Sequence, residues 1–225
     1  MDDSSRKRTR EIADRHLAEG DALGWFEEVY ATAGEEFSAI PWADTRPNPG
    51  LVSWLDNAGR RTAGGNALVV GCGLGDDAEE LSRRGFAVTA FDISPASIDW
   101  CRKRFPISAV GYHAADLFRA PQEWHAGFDF IFEAYTLQSL PADLRSVAME
   151  RLAGFLAPGG LLLVVARGRD AHEPDNGPPW PLTRVELATF STCGLLELTF
   201  EDYRDGEGPA SRRFRVLYEA SSPNA

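Results

Sequence analysis

The sequence predicts an α/β protein built on a doubly wound, mostly parallel seven-stranded sheet. From about residue 50 onward, short apolar runs alternate with amphipathic segments, and this alternation is typical of parallel strands joined by crossover helices. The last two apolar runs are separated only by a short glycine-containing turn, which predicts an antiparallel edge strand. Before residue 50 the pattern is helical, without a strand, so we also expect an N-terminal helical extension.

The extension is predicted to contain two helices followed by a loop. Ser4 or Ser5 can cap the first helix, and the second is expected over about residues 22–33, where apolar residues recur at helical spacing. The loop that follows is rich in proline, glycine and aromatic residues. We interpret residues 1–49 as an extension, or lid, that packs on a core domain formed by residues 50–225.

The core is predicted to open with a short helix over residues 51–58 and then to alternate strands with helices. The predicted strands cover residues 67–71, 87–91, 109–113, 128–132, 160–166, 195–203 and 213–218. The predicted helices cover residues 76–84, a segment opened by Ser94-Pro95, residues 141–156 and a segment opened by the capping box of Thr183 and Glu186. Turns are expected at residues 158–160 and 205–208, where glycine clusters.

Composition excludes several function classes. The 225 residues carry a net charge of −11, and a strongly acidic surface repels nucleic-acid phosphates and anionic lipid. The three cysteines are widely spaced with no CxxC pair, so neither a disulfide framework nor a metal site is predicted. The longest apolar run, residues 161–166, is too short to span a membrane, and no signal peptide is evident. We expect a cytoplasmic monomer or weak homodimer that binds neither nucleic acid nor membrane.

A glycine-rich loop follows the first predicted strand. The run Gly71-Cys-Gly-Leu-Gly75 comes directly after the strand, and Asp76 and Asp77 open the next helix. Glycine allows a ligand to approach the backbone closely, and N–H groups at a helix start attract anionic groups. Asp76 stands where a dinucleotide-binding fingerprint has its third glycine. Because two carboxylates would repel a diphosphate, a nicotinamide-dependent oxidoreductase is the less favoured interpretation.

Acidic side chains follow the next strands. Asp92 ends the second strand about twenty residues beyond the glycine loop, where a carboxylate can accept both hydroxyls of a ribose. Asp116 comes just after the third strand, and Glu133 ends the fourth. These positions lie at the carboxyl ends of parallel strands, where open α/β sheets bind their ligands. The sequence therefore predicts one ligand site along this edge.

In combination, these segments resemble the class I S-adenosylmethionine-dependent methyltransferases. The resemblance covers nearly the whole chain. It rests on Val70-Gly-Cys-Gly-Leu-Gly75, Phe91-Asp-Ile-Ser-Pro95, Asp116-Leu117, Phe128-Asp-Phe-Ile-Phe-Glu133 and Leu156-Ala-Pro-Gly-Gly-Leu-Leu162, in this order. It implies a Rossmann-like methyltransferase fold with S-adenosyl-L-methionine as the cofactor.

The same resemblance implies cofactor contacts at the ends of the first four strands. Gly71, Gly73 and Gly75 would pass the methionine moiety. Asp92 would hold the ribose, Asp116 and Leu117 would contact the adenine, and Glu133 would lie near the sulfonium. Further implied cofactor contacts are Cys72, Ile93 and Ala134.

A narrower resemblance is to the thiopurine and thiol S-methyltransferases. Its motifs are Trp25-Phe26, Tyr30, Ile40-Pro-Trp-Ala-Asp44 and Gly177-Pro-Pro-Trp180, together with Asp77. It adds Tyr30, Trp42 and Asp77 to the implied cofactor contacts, and aromatic faces attract a sulfonium cation. The chain departs from the Pro-Trp-Asp-x-Gly pattern of that family, because Ala43 precedes Asp44 and the glycine is missing.

Two residues are candidates for the catalytic, acceptor side of the site. Tyr135 lies two residues beyond Glu133, so its ring can face the methyl group and its hydroxyl the acceptor. Arg167 leaves the fifth strand at the same edge and can hold an anionic acceptor. The acceptor would then lie between the loops that follow the fourth and fifth strands.

The sequence thus predicts S-adenosylmethionine-dependent methyl transfer to a small-molecule acceptor, with a thiol or another soft nucleophile favoured. Methylation of an oxygen or a nitrogen of a small metabolite or natural product is the alternative activity. A module that binds S-adenosylmethionine without turnover is the alternative from another class.

Overall fold

The computed structural model describes residues 3–34, 36, 39–57, 64–175, 177–206 and 211–222. These residues include a seven-stranded sheet. The strands β1 to β7 are Asn66–Val70, Ala87–Asp92, Gly111–Ala114, Phe128–Ala134, Leu156–Arg167, Leu195–Arg204 and Arg212–Ala220. The helices α1 to α8 are Asp3–Ala18, Gly24–Thr32, Pro49–Asn57, Asp76–Arg83, Pro95–Arg104, Ala142–Phe155, Arg184–Leu187 and Thr189–Thr192.

The strand order across the sheet is β3-β2-β1-β4-β5-β7-β6. The first five strands in this order are parallel, whereas β7 runs antiparallel to both β5 and β6. The predicted fold class, with its antiparallel edge, is therefore confirmed. Strands β1, β2 and β3 follow one another toward one edge of the sheet. Strand β4 then returns to the other side of β1, and the remaining strands extend toward the opposite edge. This reversal beside β1 is the position where doubly wound sheets form a ligand crevice.

Each face of the sheet is covered by helices. One face packs against α6, α7 and α8, and the other packs against α3, α4 and α5. Neighbouring residues of a strand point to opposite faces, so Leu68 and Ile131 belong to the first core and Val69 and Phe130 to the second. Burial on both faces explains why these strands are continuous apolar runs and not alternating ones.

Two predicted helix caps are confirmed, and the cap predicted for α1 is wrong. The Ser94 hydroxyl accepts a hydrogen bond from the Ser97 backbone N–H at 3.0 Å and caps α5. Thr183 and Glu186 form the reciprocal capping box of α7. Helix α1 begins at Asp3, so the predicted caps Ser4 and Ser5 lie inside it.

The turn predicted at residues 158–160 is wrong, because β5 begins at Leu156 and continues through it. The pairing of β4 with β5 shifts register between Phe128 and Phe130. A side chain at Gly160 would lie 2.8 Å from the Phe128 carbonyl oxygen. The glycines therefore allow an irregular strand at close approach instead of reversing the chain. Strand β3 likewise begins at Gly111 and not at residue 109, and part of the turn predicted at 205–208 lies outside the described residues.

Helices α1 and α2 pack on each other through a small apolar cluster that contains Ile12, Trp25 and Val29. A polar contact joins the same two helices. The two ring nitrogens of His16 lie 2.8 Å from an Asp21 carboxylate oxygen and 2.8 Å from a Glu28 carboxylate oxygen. Hydrogen bonds to Glu28 and then to Asp21 raise the pKa of His16 above its usual range. The α1–α2 pair is thus most stable when His16 is protonated.

We predict that amide protection in α1 falls as the pH rises through the raised pKa of His16, above its usual 6.5. The expected loss is below about 1 kcal/mol, or roughly fivefold in the local opening equilibrium, because the group is near the surface. Hydrogen exchange corrected for intrinsic rates, at pH 6 and pH 8.5, measures it. In His16→Gln this pH dependence should be absent, while protection of β4 stays unchanged. The same pH slope in the variant would show that another group causes it.

Candidate functional site

The glycine loop after β1 is shaped by left-handed backbone angles. Gly71 and Gly75 have φ of 57° and 89°, which residues with a side chain rarely adopt. A side chain at Gly71 would overlap the Thr136 hydroxyl, and one at Gly75 would lie 2.6 Å from the Tyr112 hydroxyl oxygen. Both positions therefore need glycine for conformation and for space. Gly73 also has a left-handed φ, of 55°.

Asp92 connects this loop to the end of β2. One carboxylate oxygen accepts the Gly73 N–H at 3.0 Å, and the other accepts the Ser94 N–H at 3.0 Å. The residue is only 6% exposed, and burial raises the pKa of its carboxyl to about 6. Each carboxylate oxygen has a second lone-pair direction. Asp92 can therefore accept two further hydrogen bonds from a ligand with adjacent hydroxyls.

Helix α5 holds the loop from its other side. The Ser97 hydroxyl donates to the Gly73 carbonyl oxygen at 2.6 Å. Arg104 donates to the Leu74 carbonyl oxygen at 2.5 Å and to both carboxylate oxygens of Asp76 at 2.7 and 2.8 Å. The charge of Asp76 is thus offset by an arginine that sequence reasoning missed. Its only sequence signal is its place in the last turn of α5.

Cys72 is a buried part of the loop and not a free nucleophile. A hydrogen bond with Cys101 and burial together raise the pKa of its thiol well above the usual range. The Cys101 thiol also lies 3.2 Å from the Gly73 carbonyl oxygen. The Cys72 thiol therefore stays protonated near neutral pH, and both cysteine side chains fill space beneath the loop.

The ends of β2 and β3 adjoin. The Ala115 N–H donates to the Asp92 carbonyl oxygen at 2.9 Å, which brings the segment after β3 beside Asp92. Asp116 caps a short 3₁₀ turn by accepting the Phe118 N–H at 2.8 Å, and Leu117 in that turn is buried. Ile93, directly after Asp92, is half-buried. The structure therefore brings these predicted ribose and adenine residues together.

Aromatic side chains from the N-terminal extension cover the glycine loop. The buried hydroxyl of Tyr30 accepts a hydrogen bond from the Trp42 indole N–H at 2.7 Å. It also lies 3.3 Å from where a Gly73 side chain would begin. Burial, and then the charge of Asp92, raise the pKa of Tyr30 well above its usual range. Trp42 is 37% exposed, so its ring forms the outer surface of this cover.

Two further carboxylates attach the extension to the core. Glu27 of α2 accepts the Ser94 hydroxyl at 2.5 Å and the Ala96 N–H at 3.1 Å, both at the start of α5. Asp77 of α4 accepts the Asn48 N–H at 2.6 Å. Burial raises the pKa of Asp77 to about 7. The extension is thus joined to two helix N-termini that flank the loop.

Glu133 at the end of β4 is completely buried. One oxygen, Oε1, accepts the N–H groups of Thr136 at 2.7 Å and Leu137 at 2.9 Å. The other oxygen, Oε2, has no hydrogen-bond partner among the described residues. Burial raises the pKa of this carboxyl to about 7. Ala134, the next residue of the strand, packs in the core between the sheet and helices α3, α4 and α5.

The acceptor-side candidates Tyr135 and Arg167 lie in one cluster with a third residue. Arg213 of β7 donates from Nε to the Tyr135 hydroxyl at 3.1 Å and pairs with Asp205 at 2.9 Å. Arg167 of β5 stands directly opposite Arg213 in the antiparallel ladder. Tyr135 has a left-handed φ of 65°, a strained conformation for a residue with a side chain. Sequence reasoning missed Arg213, because only the register of β5 with β7 places it here.

Two further aromatic residues of the narrower resemblance pack outside the glycine loop. Trp25 stacks on Phe26 with ring centroids 3.8 Å apart in the α1–α2 cluster, and it meets the Trp42 ring edge-on at a centroid distance of 6.0 Å. The Trp180 ring lies 5.7 Å from the Arg145 guanidinium, and the Trp180 backbone N–H donates to the Gln138 carbonyl oxygen at 2.6 Å. Trp25 therefore supports the aromatic cover, and Trp180 joins the loop after β5 to the segment after β4.

Two features are absent from the part of the chain that the structure describes: a cluster of metal ligands and a helix that could span a membrane. The His, Cys, Asp and Glu side chains of that part form no group of three or more that could hold a metal ion. Within the same ranges, every helix is too short or too polar to cross a bilayer.

Comparison with known proteins identifies the domain. Residues 67–160 match the model of a family described as "Methyltransferase domain". Residues 67–160 thus carry the sequence pattern of a methyltransferase domain. A thiopurine S-methyltransferase of Vibrio atlanticus is 28% identical to the chain over 127 residues, which is 56% of this chain and 57% of that protein. An uncharacterized methyltransferase of Mycobacterium tuberculosis is 38% identical over 98 residues, 44% of this chain and 48% of that protein.

A solved structure resembles this methyltransferase domain over more of its length. It is the 1,6-didemethyltoxoflavin-N1-methyltransferase of Burkholderia thailandensis, with a TM-score of 0.69, 16% identity and coverage of 88% of each chain. At that identity the likeness shows the fold alone. The chain matches about half the length of its first curated relatives. The segment that matches the family model, residues 67–160, contains the glycine loop, Asp92, Asp116 and Glu133.

We predict that Glu133→Gln stabilises the protein increasingly as the pH rises. The folded-state pKa of about 7 lies above the ordinary value of 4.5, so folding is penalised between these values as the pH increases. The penalty is on the order of 3 kcal/mol above pH 7, and the amide removes it while its oxygen still accepts the two N–H groups. Urea unfolding at pH 5 and pH 8 tests this, with the exposed Glu150→Gln as control. A stability difference that does not change with pH would contradict it.

Proposed function

We propose that this chain transfers a methyl group from S-adenosylmethionine to a small-molecule acceptor. The observation that carries the proposal is the fixed carboxylate of Asp92 beside the left-handed glycine loop. Its free lone-pair directions suit the adjacent hydroxyls of a ribose. S-adenosylmethionine, when bound, supplies a methyl group made electrophilic by a sulfonium.

The residues along the edge fit this cofactor. Asp92 would accept the ribose hydroxyls, and Asp116 with Leu117 would border the adenine. The backbone of the glycine loop would leave room for the methionine moiety. The unpartnered oxygen of Glu133 would face the cationic end, where a positive charge favours the ionised carboxylate.

Charge favours this cofactor over a nicotinamide dinucleotide. Asp92 and Glu133 are buried and Asp77 is half-buried, and the pKa values of Asp77, Asp92 and Glu133 are raised to about 7, 6 and 7. A ligand with a sulfonium and an ammonium offsets such charges, whereas a diphosphate adds to them. The same argument disfavours the oxidoreductase alternative.

Sulfur is the acceptor atom that we propose. The similarity to a thiopurine S-methyltransferase supports it, and so does the small need of a thiol for a strong general base. The acceptor sulfur would attack the methyl carbon as the carbon–sulfonium bond breaks. That electron pair stays on the departing thioether, and the thiol proton passes to solvent. The structural neighbour that methylates nitrogen makes an amine the second candidate.

We also propose that the N-terminal extension closes over the cofactor. Tyr30 and Trp42 already lie over the glycine loop, and Glu27 joins α2 to the start of α5. A closed aromatic cover excludes water and aligns the reacting atoms.

Asp92→Ala should weaken S-adenosylmethionine binding by about 1.5–3 kcal/mol, roughly tenfold to a hundredfold, because a charged acceptor for two hydroxyls is lost. Calorimetry measures it, with the exposed Asp99→Ala of α5 as the matched control. Unchanged affinity in Asp92→Ala would remove the ribose assignment. Tight binding of NADH by the wild type would favour the oxidoreductase.

Turnover is tested in the same preparation with labelled S-adenosylmethionine and a panel of small thiols, phenols and amines. We expect label to pass to a thiol, and Asp92→Ala to lose this activity at low cofactor concentration. Cofactor binding without transfer to any member of the panel would favour the non-catalytic module.

Limited proteolysis tests the cover. Cleavage between residues 20 and 45 should slow when S-adenosylmethionine or its demethylated product is added, because the ligand packs against Tyr30 and Trp42. Glu27→Gln removes the contact with α5, so its cleavage should be faster and less protected by ligand. Equal cleavage rates with and without ligand would rule out a cover that closes on the cofactor.

A further inference from the structure

The register of the antiparallel edge brings two arginines together beside the proposed methyl acceptor site. In the antiparallel ladder, Arg167 of β5 stands directly opposite Arg213 of β7. Arg213 in turn stands opposite Tyr203 of β6. Residues directly opposite each other in a ladder project from the same face. Like charges directly opposite each other destabilise a sheet, so the two arginines lower stability unless an anion lies between them.

The two guanidinium groups differ in their partners. Arg213 donates to the Tyr135 hydroxyl and pairs with Asp205. The side chain of Arg167 has neither a hydrogen bond nor an ion pair with any residue that the structure describes, although its backbone N–H donates to Gln138 Oε1 at 2.7 Å. Burial and the charge of Arg213 lower the pKa of Arg167. Even so, an arginine remains charged.

The two arginines lie at the carboxyl end of β5. They are next to Tyr135, which has a strained backbone conformation and follows Glu133. The same face holds the start of α3, where a side chain at Gly50 would lie 3.0 Å from the Tyr203 hydroxyl oxygen. Glycine therefore lets the start of α3 pack closely against β5 and β6 beside the pair. A molecule seated here would lie on the β5 side of Glu133, away from Asp92 on β2.

We propose that Arg167 and Arg213 bind a carboxylate of the methyl acceptor, which is therefore a small organic acid that carries its nucleophile beside the acid group. This rests on the proposed methyl transfer. The planar forks of two arginines match the two oxygens of a carboxylate. A carboxylate supplies the single negative charge that Arg167 lacks, and the Tyr135 hydroxyl can donate to the same group.

The test compares mercaptocarboxylic acids with their neutral methyl esters. For 2-mercaptobenzoate, 3-mercaptopropionate or mercaptoacetate, the wild type should show kcat/KM at least tenfold above that of the matching ester. Arg167→Gln should remove this preference by lowering kcat/KM for the acid at least tenfold, with S-adenosylmethionine affinity within about threefold of wild type. Arg212→Gln is the matched control, because Arg212 precedes Arg213 but pairs with Asp202 and Asp170. It should keep the preference for the acid.

A binding experiment separates this proposal from the proposed activity. Benzoate and phenyl phosphate are titrated by calorimetry into the wild type and into Arg167→Gln, with and without S-adenosylhomocysteine. We expect benzoate to bind the wild type at least tenfold more tightly than the variant, and phenyl phosphate to bind no better than benzoate. Benzoate binding that depends on Arg167 without cofactor binding would retain the anion site and overturn the methyl transfer. Esters methylated as well as acids, or equal benzoate affinity in both proteins, would overturn the anion site and retain the methyl transfer. Tighter phenyl phosphate binding would overturn the carboxylate assignment.

A stability measurement excludes a purely structural role for Arg167. Because Arg167 faces a like charge without a carboxylate partner, Arg167→Gln should leave the melting temperature unchanged or raise it. A lower melting temperature together with an unchanged preference for the acid would make Arg167 a structural residue and overturn the proposal.

Discussion

The buried carboxylate of Asp92 is the contact on which the rest of the edge depends. It joins the glycine loop after β1 to the start of α5 through two backbone N–H groups. The hydroxyl of Ser94, which caps that helix, donates a hydrogen bond to Glu27 of the extension. Three segments distant in sequence therefore meet at one charged group. A buried carboxylate is costly unless its oxygens accept hydrogen bonds. The two backbone hydrogen bonds hold Asp92 so that its remaining acceptor directions are open to a ligand.

Several buried acids along the same edge share this property. Glu133 and Asp77, like Asp92, accept backbone N–H groups and have pKa values raised by burial. A folded protein holds such groups at the expense of stability, and carboxyls with strongly perturbed pKa values are concentrated at functional sites. A bound cation, such as the proposed cofactor, would offset this cost.

Much of the cofactor side can be predicted from the sequence because its elements are local. The glycine loop, Asp92 and Asp116 each follow a strand directly, so their spacing alone places them at one edge. Arg104 and Arg213 could not be predicted, since their places depend on the packing of α5 and on the register of β7 with β5. The strand at residues 158–160 was missed because glycine signals a turn and an irregular strand equally well.

The strand order divides the site between neighbouring and distant parts of the chain. The strands on the Asp92 side follow one another along the sequence, and the family match over residues 67–160 includes them. The arginine pair comes from the far end of β5 and from β7, both outside that match. Substitutions at the pair can therefore accumulate without disturbing the neighbouring half. Under the proposed function, the acceptor side of the site could change while the contacts on the cofactor side stay the same.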